Sequence, residues 1–174
     1  MLPRSRSLTV GSCAVVAALL AVPYLGLAAD TPRSFDDWAL RCDDVELSAP
    51  ECHLSQNILR KDSAERVLLV SIGYPQGAAA PIALMTTPLG IYLPTGITVQ
   101  VDDGEPMHVE LERCNEHGCH AGLTLDPTLV EQFRRGRELR VTMHDGSGRR
   151  FHFPVSLRGF RSGFAALRDS LSAP

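Results

Sequence analysis

The chain has 174 residues, 44% of them hydrophobic and 21% charged, with a formal net charge of −3. This is the composition of an ordinary globular protein and excludes a disordered or wholly membrane-embedded chain. Lys61 is the only lysine, and the densest basic group is Arg134, Arg135 and Arg137. Phosphate binding needs clustered cations, so no nucleic-acid partner is expected.

The N-terminus reads as an export leader. Arg4 and Arg6 precede an apolar run over residues 10–27, which closes on Gly26-Leu27-Ala28-Ala29 with no acid before Asp30. A basic start, an apolar stretch and small residues at a cleavable end make a signal peptide. A retained anchor is the rival, but Gly11, Ser12, Pro23 and Gly26 interrupt the run, which is near the minimum spanning length. Cleavage after Ala28 or Ala29 is expected, leaving a single domain over residues 30–174. Its roughly 145 residues suffice for one core. Loss of the leader takes the charge from −3 to −5 and the cysteines from five to four. No transmembrane segment is expected in the remainder. The most apolar stretch, PIALMTTPLGIYLPTGITV, is broken by Pro88, Gly90, Pro94 and Gly96.

In chain order, WALRC reads as a first strand, followed by HLSQNIL and RVLLVSIG; the last is apolar enough to be buried on both faces. PLGIYLPTG reads as core packing in preference to a partner surface, with its prolines confining any pairing to edges or bends. ITVQV alternates, with Ile97, Val99 and Val101 on one side. After the turn DDGEP, Met107, Val109 and Leu111 alternate with His108, Glu110 and Glu112. Pairing Val101 with Met107 brings both apolar sets to one face. The same parity joins Leu139, Val141 and Met143 to Phe151, Phe153 and Val155 across DGSGR. DPTLVEQFRRG is a marked helix, with Asp126 as N-cap, Pro127 in the first turn and Gly136 as terminator. A weaker helix runs over residues 162–171. Short strands at close spacing with Gly and Pro turns give an all-β fold, a β-sandwich with one or two short helices.

The cysteines left after cleavage are Cys42, Cys52, Cys114 and Cys119. Four cysteines in an exported chain read as two disulfides, and the local pairing Cys42–Cys52 with Cys114–Cys119 is expected among three connectivities. Zinc is the alternative, with His53, His117 or His120 joining thiolates, but the spacing Cys42-x9-Cys52 lies outside usual ligand spacing. A redox dithiol would show Cys-x-x-Cys, which is absent. Direct pairing of Cys114 with Cys119 sets Leu111 opposite Gly122, the wrong parity, so a bulge or unequal loop is expected there, with Gly118 available for a left-handed residue. His108, His144 and His152 fall on the polar side of alternating strands and read as surface histidines. The pairs Asp36-Asp37, Asp43-Asp44 and Asp102-Asp103 read as turn formers before calcium contacts. No nucleophile elbow, zinc-protease motif, phosphate loop or cofactor loop occurs in the sequence.

The set W-A-L-R-C, C-H-L-S-Q, P-L-G-I-Y-L-P-T-G-I, R-C-N-E-H-G-C and F-P-V-S-L-R-G-F resembles the invasion-associated locus B family of exported proteins of Gram-negative bacteria. The likeness spans roughly residues 35–168. It rests on Trp38, Arg41, Cys42, Cys52, Gln56, Pro88, Leu89, Gly90, Leu93, Pro94, Gly96, Cys114, Cys119, Pro154, Ser156, Leu157, Gly159 and Phe160. RSGFAAL departs from the family's more usual ending. The resemblance implies an immunoglobulin-like β-sandwich, a periplasmic or cell-surface location and, for founding members, a part in host-cell invasion. It implies no catalytic residue; no metal and no cofactor are expected because the residues show no convincing metal cluster and no cofactor loop. The expected function is therefore that of a non-catalytic envelope or surface protein that binds a protein or envelope component. The alternatives are a metal-binding protein or enzyme using His117 and His120, and a structural periplasmic factor.

Overall fold

The computed structural model describes residues 32–43 and 51–171. The expected export leader, its expected cleavage site and Asp44 lie outside them.

Eleven strands form two antiparallel sheets among the described residues. The larger contains β1 (Arg33–Phe35), β2 (Trp38–Asp43), β3 (Glu51–Leu59), β4 (Arg66–Gly73), β5 (Ile82–Thr87), β8 (Arg113–Asn115) and β9 (Gly118–Thr124). Its order is β1-β2-β3-β4-β5-β9-β8. The smaller contains β6 (Ile97–Val101), β7 (Met107–Val109), β10 (Glu138–His144) and β11 (Arg150–Ser156), in the order β11-β10-β6-β7. Helix α1 (Pro127–Arg135) joins β9 to β10, and α2 (Phe160–Ser170) follows β11. Leu54, Leu68, Val70, Ile72 and Met85 from the large sheet meet Val99, Val141, Met143 and Val155 from the small one in a single core. The fold is the expected β-sandwich.

Alternation places most of the strands. β6 reads buried, half-buried, buried along its length, as ITVQV requires. The β10–β11 register is the one that parity demands: Leu139 faces Val155, Val141 faces Phe153 and Met143 faces Phe151. RVLLVSIG differs from expectation. Leu68, Val70 and Ile72 are fully buried, whereas Leu69, Ser71 and Gly73 are only half-buried. Leu69, Ser71 and Gly73 form an outer face on which no described element is layered, and this explains the difference. The β6–β7 hairpin also differs, because Val99 and not Val101 pairs with Met107. The faces survive, since the slip is two residues. Its cause is Asp102, whose carboxylate accepts from the backbone N–H groups of Arg137 and Glu138 at 3.0–3.2 Å. Val101 pairs with Leu139 on the β10 side, and on the other side its carbonyl accepts from the Gly104 N–H at 2.8 Å within the turn, so Val99 becomes the partner of Met107.

The small sheet cannot cover seven strands, and the helices cover the rest. Asp126 caps α1 by accepting from the Leu129 N–H at 2.8 Å, and Leu129 and Phe133 are its buried residues. α2 starts at Phe160, two residues before the sequence suggested, behind Gly159 at φ +83°. A Cβ at Gly159 would lie 1.9 Å from the Phe35 carbonyl oxygen, so only glycine fits. Phe160 then meets Trp38 and Phe133 edge-on at 5.5 and 5.4 Å and stacks on Phe164 at 5.3 Å. It ties β2, α1 and α2 together.

A polar clamp joins the sheets. The amide of Gln56 donates to the Ser156 carbonyl at 3.0 Å and accepts from the Ser156 N–H at 3.0 Å. The indole N–H of Trp38 donates to the same carbonyl at 2.9 Å. Gln56→Leu is expected to strand the Ser156 N–H, and removal of one partner from such a group costs about 1–3 kcal/mol. The measurement is a urea melt, with a lower midpoint at unchanged slope. Phe160→Ala is expected to cost more, about 3–5 kcal/mol.

Candidate functional site

LERCNEHGCHAG forms the β8–β9 hairpin. Cys114 lies opposite Cys119 and Asn115 opposite Gly118. Disulfides join Cys114 to Cys119 and Cys42 to Cys52, the pairing expected from the sequence. Asn115 Oδ1 accepts from the His117 N–H at 2.8 Å and closes the turn. Gly118 has φ +137°, and a Cβ there would lie 2.2 Å from the Thr87 carbonyl oxygen. The parity conflict is resolved just before β8: Arg113 lies opposite His120, and the Glu112 N–H also donates to the His120 carbonyl at 2.8 Å, so two residues face one, as in a bulge. β8 begins at Arg113, and residues 110–112 bring the chain across from β7 of the small sheet. Leu111 packs against the core as that crossing residue.

The two histidines of this hairpin do not converge on one point. His117 is exposed on the turn, 3.5 Å from the Glu116 carboxylate. His120 lies on the outer face of β9, where Nδ1 shares a hydrogen bond of 3.1 Å with Thr86 Oγ1 and the buried Nε2 has no partner. All four cysteines are in disulfides and offer no thiolate. Among the described residues no three His, Cys, Asp or Glu side chains gather as metal ligands. On the small sheet's outer face, His152, Thr142, Thr98 and His108 share one register row, and His144 lies beside Arg150. His108 and His152 are exposed and His144 half-buried, as alternation requires.

PLGIYLPTG departs most from expectation. Ile91 is 8% exposed and sits in the core, but Leu89, Tyr92 and Leu93 are 57%, 45% and 48% exposed. The segment is not a strand. Pro88 and Pro94 lack donors, and Gly90 and Gly96 have φ of +87° and +56°, so the chain cannot hold a ladder. Ile91 forms a lone bridge with Asp145, and the Tyr92 N–H donates to the His144 carbonyl at 2.8 Å. Thr95 Oγ1 donates to the Tyr92 carbonyl at 2.9 Å. Three large apolar side chains are thus held outward on a tied-down backbone. The density of Pro and Gly around them was the sequence signal for this arrangement.

Asp145, which anchors the loop from the β10–β11 hairpin, accepts from the Ser147 hydroxyl and from the backbone N–H groups of Arg149 and Ser147. These bonds, with the Arg149 guanidinium, hold its carboxyl down at about 2.

The profile of the invasion associated locus B (IalB) protein family matches residues 38–168. The chain belongs to the IalB family. Two curated relatives, invasion protein B homologs of Brucella abortus strain 2308 and of biovar 1 strain 9-941, are each 24% identical over 136 residues, 78% of this chain and 78% of theirs. The crystal structure of invasion associated protein B from Bartonella henselae superposes with a TM-score of 0.73 at 19% identity, covering 82% of this chain and 99% of that one. At that identity the likeness speaks for the fold. The positions that carry the resemblance to the IalB family do different work in the structure. Trp38, Gln56, Ser156, Gly159 and Phe160 build the clamp and the aromatic hub, whereas Leu89 and Leu93 face solvent.

Three outcomes follow. Leu93→Asp should leave the melting temperature nearly unchanged, within about 0.5 kcal/mol, whereas Ile91→Asp should lower it by several degrees. Replacing Cys114 and Cys119 by serine should cost about 2 kcal/mol, and replacing the longer Cys42–Cys52 loop slightly more; both are read from melts. Carbon-detected titration of Asp145 should give a midpoint near 2. Because this folded value is depressed, its contribution to the hairpin is full above the ordinary carboxyl range and is lost as pH falls through 2.

Proposed function

We propose that this protein is an exported, non-catalytic envelope or surface protein of the invasion-associated type that works by binding another macromolecule through the loop at residues 88–96. The observation that carries the reading is the outward Leu89, Tyr92 and Leu93 on a backbone tied to β10. A soluble domain gains nothing in stability from presenting three large apolar side chains together, whereas a partner surface does gain by them. Fixing them in advance reduces the ordering cost of association. Two short disulfides fit an oxidising compartment, in agreement with the signal-like N-terminus. Membership of the IalB family supports the invasion-associated role, and the partner is a protein or envelope component.

The test is in-cell photo-crosslinking of the exported protein from position 92, with position 57 on the opposite sheet as control. A single macromolecular adduct from position 92, lost in Leu89→Ser with Leu93→Asp at unchanged melting temperature, is the expected result. Equal capture from both positions would sink the reading. A zinc-dependent rise in melting temperature, abolished by His117→Ala with His120→Ala, would instead favour the metal-binding alternative.

A further inference from the structure

A cleft of about 360 Å³ lies on the outer face of the large sheet, on a different sheet from the histidine row and apart from the loop at residues 88–96. The sequence creates it by placing small residues beside large ones. Ile82 of β5 is flanked by Gly73, and Leu84 by Ser71 on one side and Gly122 on the other. The two apolar side chains therefore stand in troughs that their neighbours do not fill, and they form a floor. Its volume lies in the range of ligand pockets, roughly 300–1,000 Å³.

The rim is polar and carries an exposed carboxylate without a protein partner among the described residues. Glu112 projects over Gly122 so closely that a Cβ there would lie 2.7 Å from Oε1. Among the described residues its carboxylate has no hydrogen bond and no ion pair, although Arg113 is its chain neighbour. Arg41, the exposed cation on the far side of the same face, is in register with His53 of β3. Four strand spacings separate it from β9, about 19 Å, too far to neutralise Glu112. Tyr74 also lines the cleft, and burial pushes its phenol above the ordinary range, with Arg168 opposing.

We propose that this cleft receives a lysine or arginine side chain from an extended segment of a partner protein, the aliphatic stem lying on Ile82 and Leu84 and the cationic head reaching Glu112. Long basic side chains carry an apolar stem and a charged end, and an apolar floor ending in a lone carboxylate complements both parts. The cleft opens outward from the sheet, so the segment's backbone stays outside while one side chain enters.

The test uses the full exported chain, 15N-labelled and oxidised, titrated with Ala-Arg-Ala blocked at both ends. Saturable amide shifts confined to Gly73, Leu84, Glu112 and Gly122 are expected. The blocked peptide Ala-norleucine-Ala, which keeps a stem without the cation, should bind at least tenfold more weakly. Glu112→Gln should reduce arginine-peptide binding by a similar factor. Gly122→Ala, which displaces only the flexible end of Glu112, should weaken it at unchanged melting temperature. Equal binding of the norleucine peptide, indifference to Glu112→Gln, or absence of saturable shifts would overturn the proposal. Tighter binding of free arginine than of the blocked peptide would overturn the partner segment as the source. None of these outcomes depends on capture through position 92.

Discussion

The amide of Gln56 is the point on which the sandwich depends. β11 is the edge strand of the small sheet, and Ser156 turns its peptide groups away from β10. Gln56 offers a donor and an acceptor in the geometry of a backbone peptide, and thus acts as one residue of a missing neighbouring strand. Trp38 adds a second donor to the carbonyl. The two sheets are consequently fixed to each other by directional bonds as well as by apolar burial. Burial alone would tolerate sliding, because hydrophobic attraction has no preferred direction. Hydrogen bonds in a part-buried site do not tolerate it.

The remaining architecture follows from that fixed point. Trp38 is held at one end by its indole N–H and at the other by the Phe160 ring. Phe160 can reach it only because Gly159 lets the chain pass against Phe35. Helix α2 approaches β3 closely at Gly163, where a Cβ would lie 2.6 Å from Leu54 Cδ1. A four-stranded sheet and two helices together close a seven-stranded one. The disulfides act on the other side of the balance: each closes a short loop within one hairpin and limits the unfolded chain without constraining how the sheets meet.

With the inner faces committed to packing, the recognition we propose falls to what remains outside: the loop beside β10 and the cleft over β5. They differ in chemistry. The loop presents apolar bulk outward on a rigid backbone. The cleft presents an apolar floor inward beneath an unpaired carboxylate. On that proposal, shape would discriminate partners at one place and charge at the other.

The sequence by itself determined what is local and periodic. Strand parity in ITVQV and in the β10–β11 pair, the Asp126 cap with Pro127, and the short cysteine spacings each depend on residues a few positions apart, and each appears in the structure as read. Tertiary structure decided what depends on distant partners. Asp102 shifts the β6–β7 register through backbone groups 35 and 36 residues away, and Gln56 meets Ser156 across 100. β1 is too short to show a period and exists because β2 pairs with it. Leu89, Leu93 and Ile91 are equally apolar in the sequence. The bridge to Asp145 and the Tyr92 N–H bond to the His144 carbonyl fix the backbone so that Ile91 enters the core and the leucines stay in water, a choice made by β10 and not by the local sequence.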